Sequence, residues 1–154
     1  MRGSARLARL IATGFGIGRL PWAPGTWGSL AALPLAWAIV DLFGQGALFL
    51  ATLALVAVGV WAAGHHARQA DQKDPGAIIV DEVAGQWLAL AFVPLDIRLY
   101  GLGFLLFRLA DIVKPWPANW IDQNVAGGTG IMADDLVAGL YAAAALALLS
   151  AWFP

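Results

Sequence analysis

The sequence predicts an all-α fold: a compact helical bundle that crosses a membrane several times, some of its helices short or re-entrant. Three observations carry that prediction. Apolar residues make up 60% of the chain, above the roughly 45–50% of an ordinary soluble domain. From Leu42 to Gly64 there is no charged residue, and that run meets the length of about 20 apolar residues that a membrane-spanning helix needs. The β-branched alternation that marks strands is nearly absent.

The elements follow in order. Met1 to Leu10 reads as a short amphipathic helix carrying Arg2, Arg6 and Arg9. The stretch "GFGIGRLPWAPGTWGS" is dense in Gly and Pro and reads as a loop. A helix is expected from about Ser29 to Leu42, kinked at Pro34. Gly44 and Gly46 turn the chain into the charge-free helix, which extends towards Ala70. After "DQKDPGA" a helix starts near Ile78 and reaches Phe92, where Pro94 stops it. Another covers about Leu99 to Val113 and ends at "KPWP". Trp116 to Met132 reads as a long loop with one helical turn, and the last helix opens at Asp134 or Asp135.

Charge placement orients the bundle. Arg2, Arg6, Arg9 and Arg19 precede the first apolar helix, which puts the N-terminus in the cytoplasm by the positive-inside rule. Counting crossings from there gathers every charge-rich loop on one face, except the short "PLDIR". Val83 to Leu95 and Leu99 to Phe107 are too short to span unaided, which suits re-entrant or shielded helices. Trp22, Trp27, Trp116, Trp120 and Trp152 lie near apolar ends, where an aromatic belt would place them.

Composition excludes several classes. A net charge of −1 gives no basic surface for nucleic acid. With no cysteine there is no disulfide framework, thiolate metal site or cysteine nucleophile. The basic start is followed by too short an apolar part for a cleavable signal peptide. No repeat or linker interrupts the chain, so residues 1–154 read as a single domain.

The chemistry-bearing residues fall into four groups. Asp81 and Glu82 stand side by side inside the apolar run "IIVDEVAGQWLALAFV". Burying two carboxylates costs several kcal/mol, roughly, unless something compensates them. Capping by helix dipole would account for Glu82 alone. In "FRLADIVKPWP", Arg108, Asp111 and Lys114 recur every third residue along one helix face. Arg108 suits a bidentate phosphate grip and Lys114 a point-charge contact. In "DQNVAGGTGIMADDLVAG", Gly127, Gly128 and Gly130 permit close backbone approach, with Asp122, Asp134 and Asp135 nearby. In "PWAPGTWGS", Gly25, Thr26, Gly28 and Ser29 could present amides and hydroxyls to an anion at a helix start. His65 and His66 are adjacent and make no i, i+4 metal pair. Carboxylates without cysteine or a histidine pair favour a hard cation, Mg²⁺ rather than Zn²⁺.

Taken in order, "GFGIG", "PGTWGS", "IIVDEVAGQW", "FRLADIVKPWP" and "DQNVAGGTGIMADDLVAG" resemble the phosphatidylglycerophosphatase A family, over nearly the whole chain. The resemblance implies a Mg²⁺-dependent lipid phosphatase of the bacterial inner membrane, converting phosphatidylglycerophosphate to phosphatidylglycerol and phosphate in phospholipid biosynthesis. The family's acidic motif residues match Asp81, Glu82, Asp111, Asp134 and Asp135, which would bind metal and carry catalysis. Arg108, Lys114, Thr26, Gly127 and Gly128 would bind substrate. One departure is "KDPG", standing where family members often carry histidines. Direct attack by water fits better than a phospho-aspartate, because the Asp-x-Asp pattern of aspartyl-phosphate enzymes is missing. Two other classes compete: a non-catalytic membrane transport or ion-binding protein, and a soluble phosphatase for a small phosphate ester. A transport pathway would spread charge through the bilayer depth; here the charges gather at helix ends.

Overall fold

A computed structural model describes residues 2–150; Trp152 lies outside the described residues. Seven α-helices and one 3₁₀ segment make up the described chain, with no strand among the described residues. Helix α1 (Arg2–Ala12) is amphipathic and buries Ala8 and Ala12. The 3₁₀ segment Gly14–Arg19 reverses the chain through positive φ at Gly14, Phe15 and Gly16. Then follow α2 (Pro24–Phe43), α3 (Gln45–Ala70), α4 (Val80–Leu90), α5 (Ile97–Val113), α6 (Ala118–Asn124) and α7 (Gly127–Ser150).

Helices α2, α3 and α7 are each long and apolar enough to cross a membrane, which makes this a helical membrane protein. Side chains such as Leu42, Phe43, Leu50, Leu105 and Leu148 lie exposed on the bundle's outside. In water such a surface would be an aggregation liability; in lipid it is the solvated face. Helix α4 has 11 residues and so reaches only about 16 Å at 1.5 Å per residue, well short of the roughly 30 Å hydrocarbon layer. It stays shielded, held among α2, α3, α5 and α7, so its backbone meets protein rather than lipid.

Two helix starts differ from expectation. Helix α2 begins at Pro24, not near Ser29, so "PGTWGS" forms its first two turns. Ala23 takes the left-handed conformation and Pro24 occupies the first helical position, where its missing N–H costs nothing. Helix α7 begins at Gly127, about two turns before the acids, so the glycine-rich stretch is helical rather than a loop. In the segment read as a loop, Ala118–Asn124 forms α6. The helix also runs on through Pro34.

The glycines of these starts serve close packing. A Cβ at Gly128 would overlap the Val60 carbonyl of α3, and one at Gly139 would overlap the Gly85 carbonyl of α4. The bundle therefore has backbone-to-backbone crossings of α7 with both α3 and α4. Met132 lies against Gly59 in the same seam.

Helix direction alternates, which puts the starts of α2, α4 and α7 and the ends of α3 and α5 at one end of the bundle. The opposite end is closed by Gln45, whose Nε2 donates to the Leu90 carbonyl at 2.7 Å, and by the Phe49–Phe92 ring pair. There Asp96 caps α5, accepting from the Arg98 and Leu99 amides. Those hydrogen bonds and the Arg98 guanidinium, first the side-chain bond, hold its pKa down to about 2 from 3.8. A carboxyl whose folded pKa is depressed stabilises the fold above its unfolded value and loses that contribution as pH falls through the folded one. Asp96→Ala is therefore expected to lower the thermal midpoint in detergent at neutral pH. The difference from the unaltered chain should shrink between pH 3.8 and about 2; a gap unchanged by acid would contradict the cap.

Candidate active site

Three helices carry the charged residues of the acidic end. Helix α4 starts with Asp81 and Glu82 in its first turn. Helix α7 brings Asp134 and Asp135 from its second and third turns, and α5 brings Arg108 and Asp111 from its last two turns, with Lys114 as its C-cap. Asp81, Asp111, Asp134 and Asp135 are all buried. The glycine crossings set their separation, because Gly85, one turn beyond Asp81, rests on the carbonyl of Asp135 itself.

Asp81, Glu82 and Asp135 each present an oxygen within 4.8 Å of the others. Asp81 Oδ1, Glu82 Oε2 and Asp135 Oδ2 are buried and accept no hydrogen bond. Three mutually repelling carboxylates, each with an orphaned oxygen, are a costly arrangement for a folded protein on its own. A divalent cation with oxygen ligands would satisfy all three. The donor set fits Mg²⁺: hard oxygens, no sulfur and no histidine among the three.

The other acids have cationic partners. Arg108 Nη1 donates to Asp111 Oδ2, and Asp111 in turn lies close enough to Asp135 and Glu82 to act on both electrostatically. Lys114 sits at the left-handed C-cap of α5 and donates to Asp122 Oδ1 at 3.0 Å and Asp134 Oδ2 at 2.5 Å. Successive helix residues point about 100° apart, so Asp135 joins the trio while its neighbour turns to Lys114. Burial works against the Lys114 charge, but Asp134 and Asp122 outweigh it and hold the ammonium above the ordinary lysine range.

The glycines and Thr26 stand at different distances from this chemistry. Gly25 is pressed against the Glu82 carboxylate and the Arg108 guanidinium, where a Cβ would overlap Glu82 Oε1. Thr26 is half-buried next to it, but its N–H is committed to the Ala23 carbonyl at 2.9 Å; its hydroxyl is what it has left to offer a ligand. Ser29 Oγ bonds back to Gly25 O at 3.0 Å. Gly128 packs on α3 instead of forming a loop cradle. Gly127, at positive φ, lines a small cleft with Lys73, Asp74 and Asp122.

Some participants were not singled out from the sequence. Asp74 adds a carboxylate from the loop before α4; lost hydration first, then the charge of Asp134, raises its pKa, against the pull of Lys114. Lys73 ties that loop to the carbonyls of Asp122 and Gln123. Gln86 is fully buried, and neither its amide nitrogen nor its oxygen has a partner. Its signal was present: it is a lone amide one helical turn after Glu82 in an apolar run.

Fold and site together define a helical membrane protein whose shielded short helix and apolar spans converge on a buried carboxylate centre suited to a hard divalent ion. The chain belongs to the Phosphatidylglycerophosphatase A family, whose sequence pattern it matches over residues 10–150, and with it to the phosphoric monoester hydrolases. It is 39% identical to "Phosphatidylglycerophosphatase A" of Escherichia coli (strain K12), covering 94% of this chain and 84% of that one. The protein of that name in Haemophilus influenzae is 35% identical, covering 93% and 88%. A relative in Bacteroides thetaiotaomicron, 40% identical with 92% of each chain covered, bears the name "Putative phosphatidylinositol-3-phosphatase". No solved structure matches.

Proposed function

We propose that the chain hydrolyses phosphatidylglycerophosphate to phosphatidylglycerol and inorganic phosphate, with Mg²⁺ held by Asp81, Glu82 and Asp135. The trio of buried carboxylates with unpartnered oxygens carries this reading. When bound, the ion supplies Lewis-acid stabilisation to the phosphate oxygens. Arg108, close to Glu82, and Lys114, which holds the trio's chain neighbour Asp134, lend positive charge to an incoming phosphomonoester. A carboxylate of the cluster takes the proton of the attacking water as its oxygen bonds to phosphorus. The phosphorus–oxygen bond to glycerol breaks, and the carboxyl that took the water's proton returns it to the leaving oxygen, so the lipid departs as its hydroxyl. Asp111 and Asp134 orient Arg108 and Lys114 as their ion-pair partners, with Asp111 also near enough to adjust the trio.

Two features support a bilayer-embedded enzyme of the bacterial inner membrane, its site towards the cytoplasm. Arg6, Arg9, Arg19, Arg68, Lys73, Arg108 and Lys114 belong to the acidic end, whereas the opposite end has Arg98 beside Asp96. That asymmetry follows the positive-inside rule. Exposed Trp22, Trp27, Trp116 and Trp120 mark the same end, as an interfacial belt would. The name of the Bacteroides relative differs in headgroup, but it shares the chemistry of a phosphate monoester on a lipid.

The test is phosphate release by the purified chain, with Mg²⁺ and with chelator, on phosphatidylglycerophosphate and on glycerol phosphate. Release from the lipid that requires Mg²⁺, at well over the rate on glycerol phosphate, is expected. Equal rates on both would favour a phosphatase for small esters. No release from either would leave the ion-binding or transport reading.

A further inference from the structure

We propose that the groove between α5 and α7 holds one acyl chain of the lipid substrate, a reading that rests on the lipid phosphatase activity proposed above. The groove encloses about 460 Å³. Its α5 wall is Leu106, Leu109 and Val113, which recur at helical spacing on one face. Its α7 wall includes Tyr141 and Ala145, and the lack of bulk at Ala145 helps to leave the gap. Leu109 and Val113 are more than half exposed, so the groove opens sideways to the bilayer rather than into water.

Its upper end meets the site. Pro115 lines the groove, and the residue before it, Lys114, reaches Asp134 and Asp122. The Tyr141 hydroxyl donates to the Trp116 carbonyl at 2.6 Å, which ties the α7 wall to the turn that follows Lys114. The groove's polar end thus abuts the candidate site through Lys114 and its acid partners, which sets a lipid's headgroup at the site and its tail along the groove. A second apolar hollow, near Phe15, Leu35 and Trp87, is smaller at about 210 Å³. It adjoins the acidic start of α4, through Ile79 and Val80, and not the lysine. No cation lines that hollow, whereas Lys114 adjoins the larger one, so the α5–α7 side is the one that suits the tail.

The groove's contribution is positional. Lipid tails are as apolar as leucine, so moving a chain from bilayer to groove releases little hydrophobic free energy. What it provides is a fixed alignment of the scissile phosphate over the centre. The groove should therefore matter for turnover of long-chain lipid and not for partitioning into the membrane.

The experiment uses the full chain in mixed micelles, with long-chain phosphatidylglycerophosphate and a short-chain form whose tails do not reach Ala145. Ala145→Phe puts a ring into the groove; Ala144→Phe adds the same bulk to a neighbouring exposed position on α7. Ala145→Phe is expected to lower kcat/KM on the long-chain lipid about fivefold or more, with the short-chain rate unchanged. Ala144→Phe should change neither. A long-chain lipid with a diazirine at mid-tail should label peptides of α5 and α7 in the unaltered chain. Equal effects of Ala145→Phe on both substrates, no effect on either, or labelling confined to α2 and α4 would overturn the groove. So would a changed cross-linked oligomer in Ala145→Phe, which would assign the groove to a second copy of the chain. If the unaltered chain releases no phosphate from any lipid, the parent activity fails first, before any variant is compared.

Discussion

Asp81→Asn is expected to abolish Mg²⁺-dependent phosphate release, by about a thousandfold or more, the scale of losing several kcal/mol of transition-state stabilisation. Asp81 is buried and one of three acids whose oxygens lie within 4.8 Å of each other. Asparagine keeps the shape but removes the charge that the cation requires. The fold should survive, and in chelator the variant should be at least as stable as the unaltered chain, because it has one fewer like charge in the cluster. Mg²⁺ should raise the thermal midpoint of the unaltered chain and leave the variant's where it was. Binding only to the folded state stabilises by about 2.7 kcal/mol at a hundred times Kd, so the contrast is measurable without any assay of turnover. Asp135→Asn should behave alike. Full activity in both variants would remove the site.

Gly128→Ala should strike the fold instead. The added methyl overlaps the Val60 carbonyl and crowds the Gly64 amide, both backbone atoms that cannot rotate away. Overpacking of this type costs about 1–3 kcal/mol, which for a chain of this size lowers the thermal midpoint by roughly 3–10 °C. Activity should fall with it, because α7 also carries Asp135. A midpoint within a degree or so of the unaltered chain would show that α3 and α7 do not meet as closely as the packing at Gly128 requires.

Much of the helical layout was legible in the sequence. The charge-free run became α3, and α4 and α5 lie where Pro94 and Pro115 delimit them. The starts of α2 and α7 were not legible. Pro, Gly and Thr are local turn signals, yet in "PGTWGS" and "GGTGIMADD" they permit helices to touch at backbone distance. That is a tertiary reason, and it overrides local propensity. The five acids could be named from their motifs, but not how they divide. Whether Asp134 or Asp135 meets Asp81 depends on the rotation of α7 about its axis, and the crossings at Gly85 and Gly139 set that rotation. Asp74 was hidden for another reason: a loop acid after a lysine reads as a solvated pair, and only the folded loop brings it near Asp134.

The crossing of α4 and α7 at Gly85 and Gly139 leaves no side-chain cushion between the two backbones that carry the trio. A surfactant that wedges between helices would spread those carboxylates without unwinding a single turn. Extraction could thus leave circular dichroism intact and silence the enzyme, and lateral pressure from surrounding lipid becomes a participant in keeping it competent.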